Sequence, residues 1–166
     1  LANSAGVAHY PQATFDMVRL GISLYGIASD AHDQKNLELV SELKSTVSQI
    51  KHLKTGDSVS YGRLFKASAP TKIAVVSIGY ADGFRRSLSD GVGEVFINGR
   101  RYPVVGRVCM DMMMVNVTGS NVTAGDEVEI FGANIPIQEL AQKMNTIPYE
   151  VLTGISERVK RVYFME

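Results

Sequence analysis

The segment GEVFINGRRYPVV (93–105) constrains the fold most, because it joins two short apolar runs through Asn98-Gly99. Asn-Gly suits both central positions of a type I′ turn, whose twist matches that of paired antiparallel strands. The segment therefore predicts a β-hairpin. Neighbouring runs extend the pattern: TKIAVVSIGYADGF (71–84) predicts a buried strand that ends in a turn, and GDEVEIFG (125–132) predicts a further strand.

The remaining patterns predict few helices. RVKRVYF (158–164) favours a last strand. One helix is expected near 136–145, where Pro136 suits the first turn and four apolar residues share a face: Ile137, Leu140, Ala141 and Met144. Residues 37–54 stay ambiguous, because their apolar spacing is helical whereas STVSQI is β-prone. The expected fold class is mainly β, with a closed or nearly closed β-barrel.

Residues 1–36 differ from the rest of the chain. FDMVRLGISLYGI (15–27) predicts a short strand interrupted by Gly21, and the polar stretch ASDAHDQKN (28–36) is a candidate linker. We therefore expect two domains, at 1–36 and 37–166. Because the chain opens on LANSAG without an initiator methionine, we also expect it to be part of a longer protein.

Charge and residue counts argue against several classes of protein. The chain has 17 basic and 17 acidic residues, which disfavours a nucleic-acid or membrane surface bound through bulk charge. No apolar run is long enough to cross a bilayer. The three histidines, His9, His32 and His52, lack ligand-like spacing, so no metal site is expected. The single cysteine, Cys109, fits a reducing compartment such as the cytoplasm.

Two N-terminal segments, NSAG (3–6) and MVRLGIS (17–23), carry features of an anion site. Glycine lets backbone N–H groups approach an anion, and Ser4 can donate to a phosphate oxygen. In an eight-fold βα barrel, phosphate sites follow the last two strands. Taken alone, however, such short patterns favour an ordinary turn with Arg19 on the surface.

Three later segments carry polar or reactive groups among apolar ones. Tyr61 stands in DSVSYGRLF (57–65), where an aromatic core residue is the simpler explanation. IGYADGFRR (78–86) fits a solvated loop as well as a site. In VGRVCMDMMMVNV (105–117), methionine and cysteine fit adaptable core packing. Asp111 does not, because a carboxylate in an apolar run needs a hydrogen-bond donor.

Together these segments resemble the C-terminal part of alanine racemases. NSA, MVRLGISLYG, SYG, GYADG, GRVCMD and YEVLTGISERVKRVY occur in the family's order, and the resemblance extends over essentially the whole chain. It implies that residues 1–36 are the last strand–helix elements of a truncated (β/α)8 barrel that binds pyridoxal 5′-phosphate. The family's C-terminal β-barrel domain would then occupy 37–166.

The resemblance also implies an activity and an assembly. The full-length protein would interconvert L- and D-alanine, supplying D-alanine for peptidoglycan. It would act as a homodimer on a small amino acid, with active sites shared between subunits and no nucleic-acid or membrane partner. The Schiff-base lysine would lie outside this chain, so the chain alone is expected to be inactive.

Substrate-side roles follow from the same resemblance. Tyr61 matches the tyrosine that acts as the base for the L-enantiomer. Met110 matches a residue whose backbone meets the substrate carboxylate from the partner subunit's side, with Cys109 and Asp111 beside it. Residues 112–114, all methionine, would be adaptable packing at the subunit contact.

Cofactor-side roles are implied as well. Ser4, Gly21 and Ile22 match phosphate contacts. Arg19 matches the arginine that faces the pyridine nitrogen. Tyr149 matches the tyrosine near the phosphate at the mouth of the site.

Three alternatives remain beside this interpretation. A serine racemase of the same family tends to carry a smaller polar residue at the position of Tyr149. Related barrel-fold decarboxylases of basic amino acids typically carry an acid at the position of Arg19. A non-catalytic β-barrel binding module is the third alternative, and it would need no cofactor lysine.

Overall fold

A computed structural model describes residues 1–28 and 30–164. The chain divides into two compact units, one at Leu1–Glu42 and one that begins at Leu43. Throughout the described residues, no helix is both long and apolar enough to cross a membrane. The assignment of residues 1–36 to the end of a (β/α)8 barrel, with a β domain at 37–166, stays a prediction.

The second unit is built on antiparallel strands. Six of its strands close into a barrel, and two more form a separate hairpin. The strands are β1 (Leu43–Leu53), β2 (Ser58–Val59), β3 (Phe65–Lys66), β4 (Thr71–Val76), β5 (Glu94–Ile97), β6 (Arg100–Val105), β7 (Met113–Asn116) and β8 (Glu127–Phe131). The barrel order is β1-β4-β7-β6-β5-β8, and the β2–β3 pair is the hairpin. The expected mainly β fold with a closed barrel is confirmed.

The hairpin between β5 and β6 has the turn that its sequence predicts. Ile97 pairs with Arg100, which leaves Asn98 and Gly99 as a two-residue loop. Their φ angles are 48° and 83°, so both residues are left-handed, as a type I′ turn requires.

Residues Leu43–Leu53 of the ambiguous segment form strand β1, and a β-bulge explains the helix-like spacing of their apolar residues. Val47 pairs with Val76, whereas Gln49 pairs with Val75, so Ser48 is an extra residue in the strand. The insertion keeps Val47 and Ile50 on the same face although they are three residues apart. The Ser48 hydroxyl donates to the Val75 carbonyl at 3.0 Å, which fixes the bulge.

The barrel wall is apolar on both faces around β4 and β7. Directly paired residues share a face, and one set of pairs joins buried residues inside the barrel: Ala74, Val76, Val104, Met113 and Val115. The other face carries a second cluster, Ile73, Val75, Val105 and Met114, packed against Leu53, Val59, Phe65 and Cys109. Met113 and Met114 are therefore core residues of this unit, whereas a subunit contact at the exposed Met112 stays a prediction.

After the strands, residues up to 164 contain two α-helices. Helix α3 (Ile137–Lys143) begins after Pro136 and buries its apolar face, as the sequence predicts. Helix α4 (Pro148–Thr153) was not expected, because its six residues are too few to show a period. The expected last strand at 158–164 is wrong, since those residues form no strand. A closed barrel offers no free edge for another strand to join.

The first unit contains short helical segments. Asn3 caps helix α1 (Ser4–His9), and Asp30 caps helix α2 (Ala31–Gln34). The expected strand at 15–27 is wrong: its only pairing within the described residues is a parallel bridge between Ala2 and Val18. With so short a partner, the apolar run turns instead into a 3-10 helix at Ile22–Tyr25.

Candidate functional site

Two connections emerge at the same end of the barrel, because Val76 at the end of β4 pairs with Met113 at the start of β7. The turn after β4 contains a 3-10 segment, Tyr80–Asp82. Its Tyr80 N–H donates to the Cys109 carbonyl and its Ala81 N–H donates to the Met110 carbonyl, both at 3.0 Å. The loop before β7, residues 106–112, is thereby docked on the turn after β4.

Gly79 allows this close approach. A Cβ atom at residue 79 would lie 2.3 Å from the Cys109 carbonyl oxygen and 2.4 Å from that of Met110. Its φ of −146° is open to any residue, so the constraint is space rather than backbone conformation. The two loops meet at backbone distance only because residue 79 has no side chain.

Side chains in the docked loop face different surroundings. Met110 is exposed, whereas the half-buried Cys109 packs on the outer apolar cluster. Burial raises the pKa of the Cys109 thiol, and the positive charge of Arg86 opposes this only partly. Cys109 therefore stays a neutral thiol near pH 7 and is a poor nucleophile. Asp111 has the donor that its setting required, because Arg158 Nη2 lies 2.7 Å from its Oδ1.

The Tyr61 turn is strained and tethered. It lies between β2 and β3, and Ser60 has a φ of 74°, a rare angle for a residue with a side chain. The Ser60 hydroxyl accepts a hydrogen bond from the Arg107 backbone N–H at 2.6 Å and donates one to the Arg107 carbonyl at 3.1 Å. Tyr61 is 68% exposed, so the explanation of Tyr61 as an aromatic core residue is wrong. The turn holds the phenol out from the barrel and ties it to the loop before β7.

Helix α4 carries Tyr149 and is also tied to the turn after β4. Arg85 pairs with Glu150, whose other carboxylate oxygen accepts from the Thr146 hydroxyl. These two hydrogen bonds, Thr146 first and then Arg85, hold the pKa of Glu150 below its usual range. Tyr149 itself stays half exposed beside this anchored residue.

In the first unit, the expected phosphate residues lie together. Ser4 is buried, and its hydroxyl oxygen accepts from the Gly21 N–H at 3.1 Å. Ile22 follows as the first residue of a 3-10 helix. Arg19 is exposed, and its backbone N–H donates to the Ala2 carbonyl at 2.8 Å. Ser4 and Ser23 also line one cavity in this unit.

One group in the first unit has metal-ligand chemistry. Single ligand atoms of His9, Asp30 and Asp33 lie within 4.8 Å of one another. Side chains of this group already have partners within the unit. His9 Nε2 lies 3.2 Å from Asp30 Oδ2, and the other Asp30 oxygen caps α2. The expectation of no metal site stays a prediction.

The structure therefore connects most of the expected site residues of the second unit. Hydrogen bonds and ion pairs link the turns or loops of Tyr61, Met110 and Tyr149 through residues that the sequence patterns did not single out: Ser60, Arg107, Glu150 and Arg158. The sequence pointed to one of these four residues, Arg158, and only indirectly. Asp111 in its apolar run required a hydrogen-bond donor, but the sequence did not show where that donor lies.

Comparison with known proteins gives one consistent result. The family model for the alanine racemase C-terminal domain matches residues 40–163. An alanine racemase of Desulfosudis oleivorans is 45% identical over 98% of this chain and 43% of its own length. A Bartonella henselae alanine racemase with covalently bound pyridoxal phosphate superposes with a TM-score of 0.91, at 36% identity over 98% of this chain and 46% of that protein. One from Streptomyces lavendulae gives 0.92, at 34% identity over 99% and 45%.

Proposed function

We propose that this chain, which belongs to the alanine racemase family, forms the C-terminal part of an enzyme that interconverts L- and D-alanine. The chain spans less than half the length of the relatives it matches, so the complete activity needs residues outside it. One observation carries the proposal: the Tyr61 turn is bonded, through Ser60 and Arg107, to the loop of Met110 at one end of the barrel.

Tyr61 is proposed as one of two bases. Racemisation removes the Cα proton from one face of the substrate and returns a proton to the other, so a base is needed on each side. We assign Tyr61 to the face of the L-enantiomer, opposite a lysine outside this chain. A phenol needs cationic neighbours or a dry site to act as a base near pH 7. The exposed Tyr61 therefore acts once another subunit covers it.

Met110 is proposed to bind the substrate carboxylate through its backbone N–H. No acceptor among the described residues meets that N–H group, whereas the Met110 carbonyl is occupied by Ala81. Tyr61 and Met110 are both exposed. They would serve an active site completed by the other subunit of a homodimer.

The residues of the first unit fit the phosphate of pyridoxal 5′-phosphate. The buried Ser4 hydroxyl accepts from Gly21 and keeps its own proton for a phosphate oxygen. Apart from its chain neighbours, no atom of residues 1–28 or 30–164 lies within 4 Å of the Cβ position at Gly21, so the backbone there is open to approach. The first N–H groups of a helix have no partner within the helix, and in the part of the chain that the structure describes no acceptor meets that of Ile22. Tyr149 is proposed as a further phosphate neighbour.

The cofactor supplies an electron sink that acidifies the substrate Cα. Arg19 is proposed to face the pyridine nitrogen, where a guanidinium donates a hydrogen bond and keeps its proton. Tyr149 favours alanine over serine, since its ring fills space at the mouth of the site. The unpaired Cys109 supports a cytoplasmic enzyme.

Exchange of the substrate Cα proton tests this proposal. In the full-length protein in D2O, we expect Tyr61→Phe to slow exchange from L-alanine by about 10²–10⁴-fold and to affect D-alanine less. Tyr102→Phe is the matched control, because Tyr102 is a buried barrel residue of β6. The 166-residue chain alone should show no exchange. Equal losses for both enantiomers would remove Tyr61 from the base role, and a wild-type protein without alanine racemisation would refute the function.

A further inference from the structure

Arg158 joins two loops that come from different strands. Its Nε donates to Asp82 Oδ1 and its Nη2 to Asp111 Oδ1, each at 2.7 Å. Asp82 belongs to the turn after β4, and Asp111 belongs to the loop before β7. One guanidinium therefore spans both connections at the candidate site.

The bonds of Arg158 continue into the backbone of the turn. The second oxygen of Asp82 accepts from the Gly79 N–H at 2.8 Å, and the Asp82 side chain is only 14% exposed. Two backbone N–H groups of the same turn, those of Tyr80 and Ala81, donate to the carbonyls of Cys109 and Met110. Arg158, the turn and the loop thus form a closed ring of hydrogen bonds around the Met110 peptide.

The guanidinium geometry suits this task. Arginine presents several N–H groups in a fixed plane, so Nε and Nη2 can bind two separate carboxylates at a set angle. A lysine has a single nitrogen on a flexible stem and would hold the two carboxylates less firmly. Hydrogen bonds to Asp82 first, and then to Asp111, raise the pKa of Arg158, so the group stays charged.

We propose that Arg158 is a positioning residue, which holds the Met110 N–H in place for the substrate carboxylate. The inference rests on the proposed racemase function. Arg158 acts through Asp82 and Asp111 and need not touch the substrate. Because Arg158 and Asp111 are both largely exposed, their ion pair adds little to stability, and its main effect falls on the loop.

Two measurements on the full-length protein test the inference. Arg158→Met should raise KM for alanine about tenfold and change kcat by less than about threefold, since a contact to the substrate carboxylate serves ground and transition states alike. The same variant should speed alkylation of Cys109 by iodoacetamide about fivefold or more, because the loosened loop exposes the thiol. Arg158→Lys should give smaller changes of the same kind, and it replaces Arg158→Met if that variant does not fold.

Arg101→Met is the matched control. Arg101 also pairs with a carboxylate across elements, Glu139 of α3, but away from the two loops. It should leave both KM and the alkylation rate unchanged. If the wild-type enzyme racemises alanine but Arg158→Met leaves KM unchanged, the inference about Arg158 is overturned and the proposed function stands. This holds whether or not the alkylation rate of Cys109 changes. A wild-type protein that does not racemise alanine refutes the proposed function, and the inference with it.

Discussion

Gly79→Ala tests the docking of the two loops most directly. The new Cβ would lie 2.3 Å from the Cys109 carbonyl oxygen, whereas ordinary contacts begin near 3.4 Å. The turn and the loop must therefore separate by about 1 Å. The hydrogen bonds that Tyr80 and Ala81 donate, now 3.0 Å long, would then no longer form.

The expected cost follows from those bonds. Each lost hydrogen bond contributes about 1 kcal/mol, and half-buried groups left unpaired add to this, so Gly79→Ala should lower the free energy of unfolding by roughly 2–4 kcal/mol. Urea unfolding of the purified chain, followed by circular dichroism, measures it as a lower midpoint with an unchanged slope.

Gly119→Ala supplies the comparison. Gly119 has open space at the Cβ position and a φ of 76°, so alanine there meets backbone strain without a clash and should cost roughly 1 kcal/mol. If Gly79→Ala destabilises no more than Gly119→Ala, the cost lies below the value expected from the loss of both hydrogen bonds, and the reasoning from the close approach at Gly79 fails.

Two further predictions concern the substrate and pH. In the full-length protein, Tyr149→Asn should raise the ratio of kcat/KM for serine to kcat/KM for alanine, because the opened space admits one new hydrogen bond. The expected rise is a factor equivalent to about 1–2 kcal/mol. An unchanged ratio with a large loss of stability would make Tyr149 a packing residue. Burial tends to raise the pKa of Glu139, but hydrogen bonds from Arg101 and then Lys143 outweigh it and lower that pKa. The folded state thus holds this proton less tightly than the unfolded state, so the stabilisation is complete above the ordinary pKa of 4.5 and is lost as the pH falls below it. Urea unfolding between pH 3 and 7 should show a weaker acid dependence in Arg101→Met, and an identical dependence would contradict this account.

Local signals predicted the parts of the fold that depend on a few adjacent residues. Asn98-Gly99 specified its own turn, and Pro136 marked the start of α3. The last strand was wrongly predicted because barrel closure, which removes the free edge, depends on residues far apart in the chain. Helix α4 was missed because it is short and lies next to that segment.

The candidate site shows the same division. The family motifs named Tyr61, but its exposure depends on a bond between Ser60 and Arg107, which are 47 residues apart. Asp111 predicted the kind of partner that it needs. The identity of that partner, Arg158, follows only from the folded chain, because no sequence spacing links the two residues.

The extra residue in β1 limits how the length of this strand can vary. Ser48 shifts the alternation of faces once, so that apolar residues before and after it, such as Val47 and Ile50, point the same way. Deleting any residue of the strand other than those at the bulge would turn the later side chains to the opposite face, whereas deleting Ser48 itself would leave Val47 and Ile50 on the same face. The connection between β7 and β8, by contrast, has solvent-exposed positions such as Gly119, where an added residue shifts no strand register. Insertions and deletions in proteins of this fold are therefore expected to gather in such connections and to be absent from β1, apart from loss of the bulged residue and paired changes that restore the alternation.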